Sequence, residues 1–119
     1  MLMDNKKIII QGLGFVGLAM ATVVANTLDD NGKPKFDVVG VDLPNNQDRI
    51  NKINQGELPF KSEDDSFPIK LNKVVNEYNN LYATVDEKVY QEADVVVVDV
   101  QLDIEKHEFG NSKNCSLAK

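Results

Sequence analysis

"IIIQGLGFVGLAMATVV", residues 8–24, sets three glycines between two apolar runs. Gly12, Gly14 and Gly17 fall in a Gly-x-Gly-x-x-Gly spacing where a buried strand would meet the next element. Glycine costs backbone entropy wherever it sits. Three of them at one junction therefore imply that something comes very close to the backbone.

Working outward, "KKIIIQG" (6–12) is a β-branched run without alternation, as expected of a strand buried on both faces. From Phe15 to about Leu28 the chain is rich in Ala, Leu and Val and free of proline, which suits a helix packed on a sheet. The turn cluster "DDNGKPK" (29–35) ends it. "FDVVGVD" (36–42) reads as a second buried strand stopping at an acid. Pro44 and the asparagines at 45 and 46 open a helix carrying Ile50 and Ile53, with Gly56 at its stop. After a polar loop, "ELPFKSEDDSFP" (57–68), Pro68 suits the first turn of a helix in which Leu71, Val74, Val75 and Tyr78 share a face. "LYATV" (81–85) is a third strand, "DEKVYQEA" (86–93) a short helix, and "DVVVVDV" (94–100) the clearest strand of all. Strands alternating with helices predict parallel β-α-β units in an α/β architecture.

At 119 residues the chain is one domain, 42% hydrophobic and 27% charged, an ordinary globular composition. Its formal net charge of −6 argues against a nucleic-acid footprint, which is usually basic. An anionic cofactor remains open, because backbone amides bind phosphate locally. The apolar runs are strand-length, so no membrane span is expected. "MLMDNKK" lacks a signal-peptide pattern, and the single Cys115 fits a reducing compartment, so a cytoplasmic domain is expected.

The glycines gain meaning from their context: a buried strand before them, a helix opening through them, and a second strand ending in an acid. Gly12 takes the tight turn, Gly14 leaves room for a pyrophosphate, and Gly17 lets the helix pack close on the strand. The free amides and positive end of that helix hold the phosphates. Asp42 lies 25 residues beyond Gly17, the "DDNGKPK" turn accounting for the excess over the usual ~20. A carboxylate there accepts from ribose hydroxyls and repels a 2′-phosphate, which favours NAD over NADP. The plainer alternatives are a tight turn without ligand and a solvated acid at a strand end.

Together "IIIQGLGFVGLAMA", "FDVVGVDL", "RINKINQGELPF", "LYATVDE" and "ADVVVVDV" resemble the N-terminal domain of the UDP-glucose/GDP-mannose dehydrogenases over about residues 6 to 105. Such enzymes use NAD to oxidise the C6 hydroxyl of a nucleotide sugar twice, giving the uronic acid. The resemblance implies that Gly12, Gly14 and Gly17 form the pyrophosphate loop, that Phe15 and Val16 start its helix, and that Asp42 binds ribose. It implies too that Arg49 lies near the adenosine and that Thr84 lies beside the cofactor. Thr84 is equally readable as a β-former ending a strand.

Two departures from the family pattern stand out. Where many members carry a Pro-Thr-Pro turn near the nicotinamide, this chain has "VQLDIE" (100–105), with Gln101 and Asp103 as weak substitutes. The family's catalytic cysteine, lysine and aspartate and its nucleotide-sugar site match nothing within residues 1–119, so no catalytic residue is assigned and an N-terminal piece, inactive alone, is expected. Cys115 has no partner base in sequence and reads as inert. His107 stands alone, and "SEDD" (62–65) lacks ligand spacing, so no metal site is assigned.

The expected fold is a Rossmann-like doubly wound parallel sheet, truncated, of strand order 3-2-1-4 with helices on both faces. Residues 1–105 form the NAD-binding domain and 106–119 a polar tail. The partners implied are NAD and, through other segments, a nucleotide sugar. Strand 94–100 is expected as an open edge, which makes a homodimer a candidate assembly. On the residues alone, a ligand-sensing module of the same fold without catalysis, or a methyltransferase-type domain, remain competing readings.

Overall fold

The computed structural model describes residues 5–99. The run of isoleucines forms β1 (Lys6–Gln11), with Ile9 and Ile10 fully buried. The glycine turn leads into α1 (Phe15–Ala25), and β2 (Phe36–Val41) follows. A 3₁₀ turn (Pro44–Asn46) opens α2 (Gln47–Asn54). The second long crossover continues through α3 (Ser66–Asn72), whose first turn holds Pro68, and a π-helical turn (Lys73–Glu77) into β3 (Leu81–Thr84). A 3₁₀ segment (Glu87–Glu92) joins it to β4 (Val95–Val98).

All neighbouring strands run parallel in the order β3-β2-β1-β4, as the alternation of elements predicts. The first helix ends at Ala25, earlier than the expected Leu28: the Asn26 amide makes the last four-residue bond, to the Thr22 carbonyl, and the Thr27 amide reaches back only three residues, to Val24. The helix expected to run on to Tyr78 widens instead: the Tyr78 amide donates to the Lys73 carbonyl, five residues back. Leu71, Val74 and Val75 are buried all the same.

The order of strands explains the layers. The steps β1→β2 and β2→β3 move one way along the sheet, and β3→β4 returns past β1. Right-handed crossovers therefore put the first two connections on one face and the third on the other. On the first face α1, α2 and α3 cover Ile8, Ile10, Val38, Leu81 and Ala83. On the second, Val89 and Tyr90 of the 3₁₀ segment and Ala93 just after it cover Ile9, Val39 and Val41. Among the described residues both faces thus carry helical segments, of very unequal size.

Two asparagines meet backbone groups that the sheet leaves over. Asn54 of α2 accepts from the Ala83 amide at 2.8 Å and donates to the Ala83 carbonyl at 2.9 Å, as a neighbouring strand would. Buried Asn80 donates to the carbonyls of Ala25 at 2.7 Å and Phe36 at 2.9 Å, tying the end of α1 to the start of β2. Buried amides and carbonyls need such partners.

Candidate cofactor site

The reversal of direction around β1 leaves a crevice outside the carboxyl ends of the strands, where open α/β sheets bind ligands. A cavity of about 590 Å³ lies there. Its walls include Gly12 and Gly14 after β1, Asp42 after β2, Arg49 of α2, and Asp99 after β4.

Gly12 has φ +98°, a conformation that side-chain-bearing residues rarely adopt, and a Cβ there would strike the Asp99 carbonyl. A Cβ on Gly17 would strike the Gly12 carbonyl oxygen, so its absence lets α1 lie against the turn. Gly14 is the N-cap residue of α1 in an extended conformation and supplies no side-chain cap. The first intrahelical bond runs from the Leu18 amide to the Gly14 carbonyl, 2.9 Å. The amides of Phe15, Val16 and Gly17 precede it, and the first turn holds no acid. An uncapped helix end of this kind favours an anion.

Asp42 is held from four sides. One carboxylate oxygen accepts from the Leu43 amide (2.8 Å) and Asn46 Nδ2 (3.0 Å), and the other from the Leu13 amide (3.3 Å) and Arg49 Nη1 (3.2 Å). Its side chain is 9% exposed. Burial pushes its pKa up, but the hydrogen bonds from Asn46, Leu43, Leu13 and Arg49 outweigh burial and hold it below the usual carboxylate value. The group is an anionic acceptor with its orientation set, as a ribose-binding acid needs. Across the cavity, the Tyr90 hydroxyl donates to Gln11 Oε1 at 3.0 Å. Burial and the nearby Glu87 push the Tyr90 phenol up, so it stays protonated.

The expected residues divide by position. Gly12, Gly14, Asp42 and Arg49 converge on the cavity. Gly17 stands behind the turn, against Gly12. Phe15 and Val16 open α1 with exposed side chains, and the Phe15 ring packs on Phe60 and Phe67 at centroid distances of 5.3 and 5.8 Å. Thr84 is outside the cavity wall: its carbonyl accepts from the Asp42 amide, and its hydroxyl from the Asp86 amide at 3.1 Å. It supports Asp42 rather than lining the crevice. Gln101, Asp103, His107, Cys115 and the tail 106–119 lie outside the described residues.

Sequence reasoning passed over Asn46, Tyr90 and Asp99. Asp99 carried a usable signal, since it ends the "VVVV" strand as Asp42 ends "VVGV". Asn46, four residues beyond Asp42, sits where a helical turn brings it back to the acid. Among the described residues no group of three or more His, Cys, Asp or Glu side chains is placed to hold a metal ion. No helix among them is long and apolar enough to cross a membrane.

Comparison with known proteins agrees with this geometry. Residues 6–113 match the model of the UDP-glucose/GDP-mannose dehydrogenase family, NAD binding domain. A UDP-N-acetyl-D-mannosamine dehydrogenase from Methanococcus maripaludis strain C7 is 36% identical over 114 residues, which are 96% of this chain and 23% of that protein. The chain thus spans about a quarter of that relative's length. Among solved structures, the NDP-N-acetyl-D-galactosaminuronic acid dehydrogenase of Methanosarcina mazei Go1 superposes with a TM-score of 0.70 at 29% identity, covering 82% of this chain and 20% of that one. A ternary complex of GDP-mannose dehydrogenase from Pseudomonas aeruginosa gives 0.67 at 27% identity, covering 87% and 22%.

Proposed function

We propose, from the premise that this chain belongs to the UDP-glucose/GDP-mannose dehydrogenase family and forms its NAD-binding domain, that it serves the oxidation of a UDP- or GDP-sugar at C6 to the uronic acid. NAD supplies the hydride acceptor, and two are consumed for each sugar. No residue that acts on the sugar is assigned among residues 1–119, which span about a quarter of the relative's length.

In this reading the glycine turn and the amides of Phe15, Val16 and Gly17 hold the pyrophosphate. Asp42 accepts from the adenosine ribose hydroxyls, and Arg49 swings from Asp42 to flank the adenosine. Thr84 acts through its carbonyl, which fixes the Asp42 backbone. The observation that carries the proposal is one juxtaposition. The uncapped end of α1, the Gly12 turn at φ +98° and the oriented Asp42 carboxylate meet around one cavity.

Calorimetric titration with NADH, beside a Gly14→Val variant, tests it. Saturable binding by the chain and its loss in the variant are expected, because the added side chain stands where the pyrophosphate must approach. A well-folded chain that binds no NADH overturns the cofactor assignment. The sugar step is read in the full-length protein as two NADH formed per UDP- or GDP-sugar consumed.

A further inference from the structure

Asp99 follows β4 and extends the sheet by one bond, its amide donating to the Gln11 carbonyl at 2.8 Å. Its side chain turns to the glycine loop: Oδ2 lies 3.1 Å from where a Cβ on Gly17 would stand, in the first turn of α1. That turn carries no acid of its own and no side-chain cap. The carboxylate facing the positive end of the helix is thus delivered from the far side of β1, 87 residues after Gly12. Among the described residues no side-chain hydrogen bond engages it, in contrast to Asp42, whose charge is met by Arg49 and three other donors.

We propose that Asp99 is an affinity-determining residue of the phosphate turn, a fixed negative charge that weakens the hold of α1 on a dinucleotide's pyrophosphate. The inference rests on the cofactor reading above. Helix-end stabilisation of an anion acts within the first turn, where the carboxylate already sits. A pyrophosphate brought to the same amides meets a like charge a few ångströms away. In a partly solvated crevice that repulsion corresponds to about a three- to tenfold loss of affinity. A reaction that consumes two NAD per sugar needs the cofactor to leave between steps. A loosened pyrophosphate site speeds that exchange.

The test compares the full chain with Asp99→Asn, which keeps size and shape, and with Asp99→Ser. Each is titrated with NADH, ADP and adenosine, at low and high salt. The variants are expected to bind NADH and ADP about three- to tenfold more tightly, to release NADH more slowly, and to bind adenosine unchanged. The gain should shrink as salt screens the charge. Equal or weaker binding of NADH by the variants overturns the inference while leaving the cofactor reading intact. An equal gain for adenosine does the same, since it marks a change of shape rather than of charge. Binding of neither NADH nor ADP by any of the folded proteins sinks both.

Discussion

Asp42 shows how one side chain at the cavity wall ties several segments together. Its four donors come from the glycine turn, its own successor and the two helical turns beyond it, so the carboxylate pins the cavity wall before any cofactor arrives. Replacing it with alanine leaves those donors without their acceptor, and a hydrogen bond to a charged group contributes about 1.5–3 kcal/mol. NADH affinity in Asp42→Ala is therefore expected to fall roughly tenfold to a hundredfold, read by titration. The lowered pKa also fixes the sign of a pH effect. Stability from ionised Asp42 is present above the unfolded value of about 3.9 and is lost as pH falls through the lower folded value. In urea denaturation the native chain should keep its margin over Asp42→Asn at neutral pH and lose it in acid. A margin independent of pH would show that the carboxylate's charge contributes nothing. The place of Asp42 at the cavity wall was legible in sequence because an acid ending a strand after such a glycine turn is a local pattern. Asp99 carries the same local mark of an acid ending a strand, but what it faces across the sheet, the first turn of α1, is not written locally.

The elements repeat this lesson in their lengths and edges. Each strand was readable as an apolar β-branched run, and each ends within two residues of its expected place among the described residues. The π-helical turn was not readable, since the spacing of Leu71, Val74 and Val75 fits a plain helix equally well. Nor was the role of Asn54, which in sequence is one polar residue among several in "RINKINQ". Its side-chain amide meets both backbone groups of Ala83 on the outer edge of β3, which has no further strand among the described residues. Asn54→Ala leaves a partly buried amide and carbonyl unpaired, and a loss of about 1–3 kcal/mol in unfolding free energy is expected. Chemical denaturation measures it, and a loss under a few tenths would show that water replaces the side chain without penalty. Asn54→Asp keeps the acceptor for the Ala83 amide while removing the donor, so it should fall between the two.

At the scale of the whole molecule, the described residues cover the sheet unevenly. Three helices pack on one face and a 3₁₀ segment on the other, and β4 shows Val95, Val96 and Val98 at 45%, 45% and 52% exposure. Open apolar strand edges invite pairing with another copy of the chain. Sedimentation of the chain is expected to reveal concentration-dependent dimers, diminished in a Val96→Lys, Val98→Lys double variant. A clean monomer at high concentration would count against association through this strand. Strand order and layer assignment were within reach of the residues alone, because buried runs alternating with helical ones demand parallel crossovers, and handedness leaves few arrangements. The glycine turn and the acid after β2 were within reach for the same reason: backbone sterics and strand ends are written locally. Folding decided what depends on distant residues meeting. It set Tyr90 on Gln11, Asp99 against the first turn of α1, and the Phe15 ring on Phe60 and Phe67, away from the cavity. No periodicity encodes such meetings, since they arise only when separate strand ends are brought to one edge of the sheet.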